Sequence, residues 1–190
     1  MEFLVGAVDI GFAHSGIVII DYDKVRAVRV ITTKPDKTKQ AVRCADDDVR
    51  RCQEMYRGVR QMLFDDYIIK AMIVELPSSG AKGARAIGCM ARAQGLVSAL
   101  AVERDLPTEW VPPSHVKLAT CNSRNASKEE VEQAVLKLYP ELNDLLIDVK
   151  NAEREHVCDA VGAWHAARTG QLGCMIRSRW TDAQPTRETR

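Results

Sequence analysis

Residues Phe3 to Asp21 read FLVGAVDIGFAHSGIVIID, and this stretch decides the fold. Phe3–Ile10 is a near-continuous apolar run that carries one carboxylate, Asp9, near its end. Such a run predicts a central strand buried on both faces. Gly11 permits a tight exit, and Ser15–Asp21 (SGIVIID) reads as a second strand. Val25–Thr32 (VRAVRVIT) reads as a third. The links are too short for crossover helices, which need a dozen or more residues, so the three strands form an antiparallel meander.

Downstream the period changes. Between Ala41 and Tyr67 apolar residues recur at helical spacing (Val49, Cys52, Met55, Val59, Met62, Leu63), predicting a helix of about 20 residues. Lys70–Glu75 (KAMIVE) is a short strand that again ends in a carboxylate, and a Pro/Gly/Ser-rich loop follows. Ala84–Glu103 predicts a second long helix, with small residues Gly88, Ala91, Gly95 and Ala99 recurring every three or four positions. That stripe suits packing either on the sheet or on a partner's helix. Glu109–Val111 is a weak strand before Pro112-Pro113, and a short helix spans Val116–Ala119. Ser127 with Glu129 and Glu130 caps a helix that stops before Pro140, and Glu153–Ala167 is the last helix. This order predicts an α/β domain over residues 1–170, a mixed sheet with helices on both faces. Residues 171–190 are polar without clear periodicity and are expected to be a flexible tail.

The 190-residue chain is 46% hydrophobic and 28% charged, with a net charge of +1, which excludes collagen-like, low-complexity and wholly disordered classes. Its six cysteines form no CxxC pair and no zinc spacing, and they suit a reduced, cytoplasmic setting. No secretory leader is recognisable, and no run reaches 18 apolar residues, so no membrane span is expected.

Three carboxylates draw attention. Asp9 and Glu75 stand at strand ends, where open α/β sheets tend to bind ligands. Asp159 lies in EREHVCDAVGAWHAA, with Glu155 and His156 four and three residues before it on the same helical face. Its other neighbours are apolar, and a carboxylate at such a boundary is costly unless partnered. Each residue alone is also compatible with turn, cap or salt-bridge chemistry. Together they suit oxygen-preferring divalent ions such as Mg²⁺ or Mn²⁺. A pair of ions about 4 Å apart can activate water and stabilise a departing oxygen in phosphodiester hydrolysis. On this reading Asp9 bridges, Glu75 and Asp159 each hold one ion, and His156 is a fourth ligand or orients water. His14, His115 and His165 lack a partner pattern and are read as structural.

With these residues in view, the chain resembles the RuvC family of Holliday-junction resolvases, which are ribonuclease-H-like endonucleases. The resemblance rests on VDIGFAHSGIVIID (8–21), IVELPSSGAKGARAIGCMARAQGLVSALAV (73–102), WVPPSHVKLATCNSRNASKEEVEQAV (110–135) and HVCDAVGAWHAA (156–167). It implies a five-stranded sheet with three antiparallel strands followed by two parallel ones. It also implies that Asp9, Glu75, Asp159 and His156 are catalytic metal ligands, with two Mg²⁺ per site and Mn²⁺ able to substitute. Lys117 and Lys128 match the family's lysines near the scissile phosphate. The implied substrate is branched DNA, above all the four-way junction, cut symmetrically by a homodimer in the cytoplasm of a bacterial or phage-infected cell to leave 5′-phosphate and 3′-hydroxyl ends. Ile10 follows Asp9 where cellular bacterial members usually carry Pro, which resembles the phage and poxvirus branches. Leu76-Pro77-Ser78-Ser79 stands where cellular members carry an aromatic wedge, which predicts relaxed sequence choice.

Basic residues cluster locally. Residues 24–60 hold eleven Lys/Arg against five acids, and Lys82, Arg85 and Arg92 follow Glu75 without an acid among residues 76–100. With Arg124, Lys117 and Lys128, the residues Lys82 and Arg85 are candidates for contacting DNA phosphates, though residues 24–60 also fit a plain solvated face. The competing readings are a ribonuclease-H-like nuclease for flaps, forks or RNA/DNA hybrids, and a non-catalytic junction-binding dimer. An actin-like ATPase is disfavoured because the chain is too short for two lobes.

Overall fold

The computed structural model describes residues 2–37, 43–77 and 83–182. Its elements are β1 (Leu4–Ile10), β2 (His14–Asp21), β3 (Lys24–Thr32), α1 (Cys44–Arg60), β4 (Ile69–Glu75), α2 (Ala84–Glu103), β5 (Thr108–Val111), α3 (Pro113–Cys121), α4 (Lys128–Leu138), α5 (Leu142–Leu145), α6 (Asn151–Ala167) and α7 (Gln171–Asp182). The sheet order is β3-β2-β1-β4-β5. The first three strands pair antiparallel, and β4 and β5 join parallel to β1 and to each other. This is the mixed ribonuclease-H-like arrangement expected. The helix expected to run on to Tyr67 instead passes into one π-helical turn at Gln61–Asp66.

Alternation along the strands builds two cores. Val5 and Ala7 of β1, Val18 and Ile20 of β2, and Ala71 and Ile73 of β4 face α3, α4, α6 and α7. Leu4, Val8, Ile10, Ile17, Ile19, Met72 and Val74 face α1 and α2. Because the strand period is 2, Asp9, Glu75, Gly16, His14 and Thr32 all continue the α6-facing rows. That parity brings the polar strand ends under one helix.

At Gly16 the backbones of β2 and α6 approach closely. A Cβ built there would lie 2.0 Å from the His156 carbonyl oxygen and 2.8 Å from the Val157 nitrogen. Both obstacles are backbone, so a larger side chain must push α6 off the sheet. Gly16→Ala is therefore expected to destabilise the protein by about 3 kcal/mol, the upper end for overpacking. Urea denaturation measures this, and a midpoint near wild type would show that the two elements are not held this closely.

The irregular tail expected from residue 171 is corrected over 171–182, which form α7. Leu172, Ile176 and Trp180 recur every four residues and give the segment an apolar edge that its polar majority obscures. Ile176 and Trp180 are buried, Trp180 meets Trp164 edge-on at 5.5 Å, and its indole N–H donates to the Phe3 carbonyl at 2.6 Å. The C-terminal part of the expected tail, 183–190, lies outside the described residues. The small-residue stripe of α2 faces away from the sheet. Ala93, Val97 and Leu100 are buried beneath the helix, while Ala91, Gly95 and Ala99 are exposed and a Cβ on Gly95 would meet open space.

Candidate metal centre

Asp9 and Glu75 are register partners on the parallel strands β1 and β4, so their side chains stand side by side on the α6 face. α6 crosses above and supplies Asp159. One carboxylate oxygen from each of Asp9, Glu75 and Asp159 lies within 4.8 Å of the others, a spacing that divalent ions with oxygen ligands can bridge. Glu75 is buried, while Asp9 and Asp159 are half-buried. Such a cluster is unfavourable without cations. Burial, then the charges of Asp159 and Asp9, push the Glu75 carboxyl from 4.5 up to about 9. Burial and then Asp9 push Asp159 from 3.8 up to about 7. A cluster in which Glu75 and Asp159 resist ionisation suits ion binding, which supplies the missing positive charge.

His156 lies against the cluster as expected, with Nδ1 2.7 Å from Asp9 Oδ2 and Nε2 3.7 Å from Glu155 Oε1. Burial works to lower its pKa, but the hydrogen bond and charge of Asp9 outweigh it, leaving the imidazole raised. Lys117 and Lys128 line the same cleft of about 350 Å³ with Asp9, Glu75, His156, Asp159, Leu76 and Met90. Lys128 Nζ donates to Glu155 Oε2 at 2.8 Å. The structure thus brings six of the sequence-predicted site residues together.

The outer DNA-contact candidates divide. Arg124 is exposed on the loop between α3 and α4. Arg85 is already paired, 3.0 Å from the buried Asp48 of α1. Lys82 lies outside the described residues. Five of the seven arginines of residues 24–60 are engaged within the fold. Arg26 pairs with Glu2 and Asp21, Arg29 with Asp66, Arg50 with Asp47 and Glu54, and Arg60 with Asp65. Arg51 is buried over the Phe12 ring, 4.3 Å from its centroid. The solvated-face reading therefore describes most of this segment's arginines better than a DNA-binding patch.

One residue read as merely structural stands beside the site. The His14 ring stacks on His156 with centroids 5.4 Å apart and planes 11° from parallel. Its signal in the sequence was parity, because His14 shares the face of Val18 and Ile20 on β2.

The chain is similar to several known proteins. The family model for crossover junction endodeoxyribonuclease RuvC matches residues 5–163. A RuvC from Porphyromonas gingivalis is 36% identical over 69 residues, 36% of this chain and 36% of that protein. A RuvC from Pseudarthrobacter chlorophenolicus is 29% identical over 143 residues, 73% of this chain and 69% of that protein. The chain thus spans little more than a third of the first of these relatives. Thermus thermophilus RuvC, solved in complex with a Holliday junction substrate, shares the fold at a TM-score of 0.66 with 20% identity, covering 92% of this chain and 97% of that one. With the matched region spanning every strand and all three acidic residues, the chain belongs to the crossover junction endodeoxyribonuclease RuvC family.

Proposed function

We propose that this protein resolves four-way DNA junctions by metal-dependent hydrolysis of the phosphodiester backbone, cutting symmetrically as a homodimer and leaving 5′-phosphate and 3′-hydroxyl ends. The observation that carries the reading is the convergence of Asp9, Glu75 and Asp159 within 4.8 Å at one end of the sheet, in a chain of this family. Asp9, Glu75, Asp159 and His156 would hold the ions, Mg²⁺ with Mn²⁺ able to substitute, two to a site. Such ions supply Lewis acidity at the phosphate and an acidified water. The chain's own cations do the rest. Lys117 meets the scissile phosphate, and Lys128 and Arg124 hold the flanking backbone, with Lys82 following beyond Glu75. Arg85 must exchange Asp48 for a phosphate to take part, so its share is the smallest.

Two finer points belong to this reading. Ile10 after Asp9 supports placing the chain nearer the phage and poxvirus branches. Its six free cysteines suit the reducing cytoplasm of a bacterial or infected cell. Among the described residues no helix is long and apolar enough to cross a membrane.

Labelled four-way, Y-shaped and linear duplex DNA, incubated with Mg²⁺, Mn²⁺ or EDTA, test the activity. Paired cuts confined to the four-way substrate, abolished by EDTA and spread over several unrelated sequences, are expected. Preferential cutting of Y-shaped DNA would favour the broader ribonuclease-H-like alternative, and binding without cutting would favour the non-catalytic dimer. For the dimer, the outward α2 stripe is the proposed contact. Gly95→Arg should leave circular dichroism unchanged, convert a dimer to a monomer by sedimentation velocity, and uncouple the paired cuts. A wild-type monomer on the junction would remove the dimer from the proposal.

A further inference from the structure

α6 carries Glu153, His156 and Asp159 at three-residue spacing, and this row passes over the ends of β3, β2 and β1 in turn. Asp159 meets Asp9 and Glu75. His156 Nδ1 is 2.7 Å from Asp9 Oδ2 and its ring lies flat on His14. Glu153 Oε1 accepts the Thr32 hydroxyl at 3.0 Å, and Thr32 Oγ1 is 3.1 Å from His14 Nδ1. A hydroxyl has one proton. With it given to Glu153, Thr32 Oγ1 can only accept from His14, which places the His14 proton on Nδ1. His14 and Thr32 are also register partners on β2 and β3, so the sheet itself fixes the distance between them. His14 is thus tied at its edge, with its flat face against His156.

We propose that His14 is a positioning residue. It is a fixed aromatic platform that sets the plane of the His156 imidazole at Asp9, and through it the affinity of the site for divalent ions. The proposal rests on the reading above that His156 takes part in holding the ions. The reason is geometric. The hydrogen bond to Asp9 and the looser approach of Nε2 to Glu155 hold the ring at its edge, where it can still swing about its side-chain torsions, while a parallel ring at stacking distance restricts that swing. Outer partners that orient a ligand by hydrogen bonding typically govern ion affinity by tenfold or more, and a stacked ring that restricts the same motion acts in the same direction.

The test separates the flat face from mere bulk. Mn²⁺ binding is titrated by the electron paramagnetic resonance of the free ion, without DNA, for wild type, His14→Ala, His14→Leu, His14→Phe and His156→Ala. His14→Ala and His14→Leu are expected to weaken Mn²⁺ binding about tenfold. His14→Phe, which keeps the platform and loses the bond to Thr32, is expected to stay within about threefold of wild type. The ¹⁵N resonances of the His156 ring should be sharp in wild type and in His14→Phe, and exchange-broadened in His14→Leu. Should His14→Ala fail to fold by circular dichroism, the Leu and Phe pair carries the comparison. Equal Mn²⁺ affinity in His14→Leu and His14→Phe, with His156→Ala clearly weakened, would overturn the platform and leave His156 as a ligand. Wild-type affinity in His156→Ala would remove the ligand assignment itself and the role of His14 with it.

Discussion

Asp9→Asn, Glu75→Gln and Asp159→Asn are each expected to reduce single-turnover junction cleavage by about a thousandfold or more at saturating Mg²⁺, while binding junctions as well as wild type or more tightly. The carboxylates are drawn together by strand register and by α6, and removing any one breaks the set proposed to hold the ions, whose oxygens lie within 4.8 Å of one another. The same charges repel the DNA backbone, which is why binding survives. The variants have a second consequence that needs no DNA. Glu75 is raised to about 9 by burial and by its acidic neighbours, and Asp159 to about 7. In the unfolded chain both titrate near 4, so the metal-free folded state holds more protons from about pH 4 to pH 9. Stability therefore falls as pH rises through that window and is fully retained below it. Glu75→Gln removes most of this penalty. Without metal at pH 8 it should be more stable than wild type by on the order of 3 kcal/mol, a gap that closes below pH 4 and shrinks when Mg²⁺ is added. Urea titrations across pH measure it. A variant with the wild-type pH slope would show that the three carboxyls do not crowd one another in solution, and near-normal cleavage would remove that residue from the chemistry.

Lys117→Ala is expected to slow single-turnover cleavage by about tenfold to a thousandfold, with a much smaller change in junction Kd. Lys117 lines the cleft with Asp9 and Glu75, and the charge of Lys128, then that of Lys117, acts to lower the Glu75 pKa, so both ammonium groups are felt at the acidic cluster. Lys128 differs. Its ammonium is held by Glu155, and that hydrogen bond and charge raise its pKa. To meet a phosphate it must leave or share this partner, which suits a backbone contact better than transition-state stabilisation. Lys128→Ala should thus divide its effect between binding and rate and reduce the salt slope of binding by about one. Rates and Kd values over a salt series discriminate the two lysines. Normal cleavage by saturated Lys117→Ala would reverse the assignment.

The meander, the acid-tipped strands and the capped helix were legible because each is written in a local period. Alternation marks strands, three-to-four spacing marks helices, and the capping box of Ser127 and Glu130 forms as the spacing suggests. The three clustered acids were legible through their places at element ends and through the resemblance of the surrounding motifs. α7 was missed because its apolar edge is thin. Its burial comes from Phe3 and Trp164, residues its own sequence does not announce.

The amino-acid sequence by itself determined the order of the strands and of the longer helices before α7 and the faces of the strands, because those follow from patterns within a dozen residues; the three carboxylates stood out at element ends and, as a set, through the family resemblance. It did not determine which charges meet. Arg85 read as a candidate for contacting DNA until α1 and α2 packed side by side and paired it with Asp48, and the small residues of α2 could face sheet or partner until Ala93, Val97 and Leu100 took the inner side. Likewise, only the path of α6 over the strand ends brings His156 to Asp9, 147 positions away in the chain, and lays His14 beneath it. Such contacts depend on how elements cross in three dimensions. Local periodicity fixes a side chain's face, and tertiary packing alone decides what that face meets.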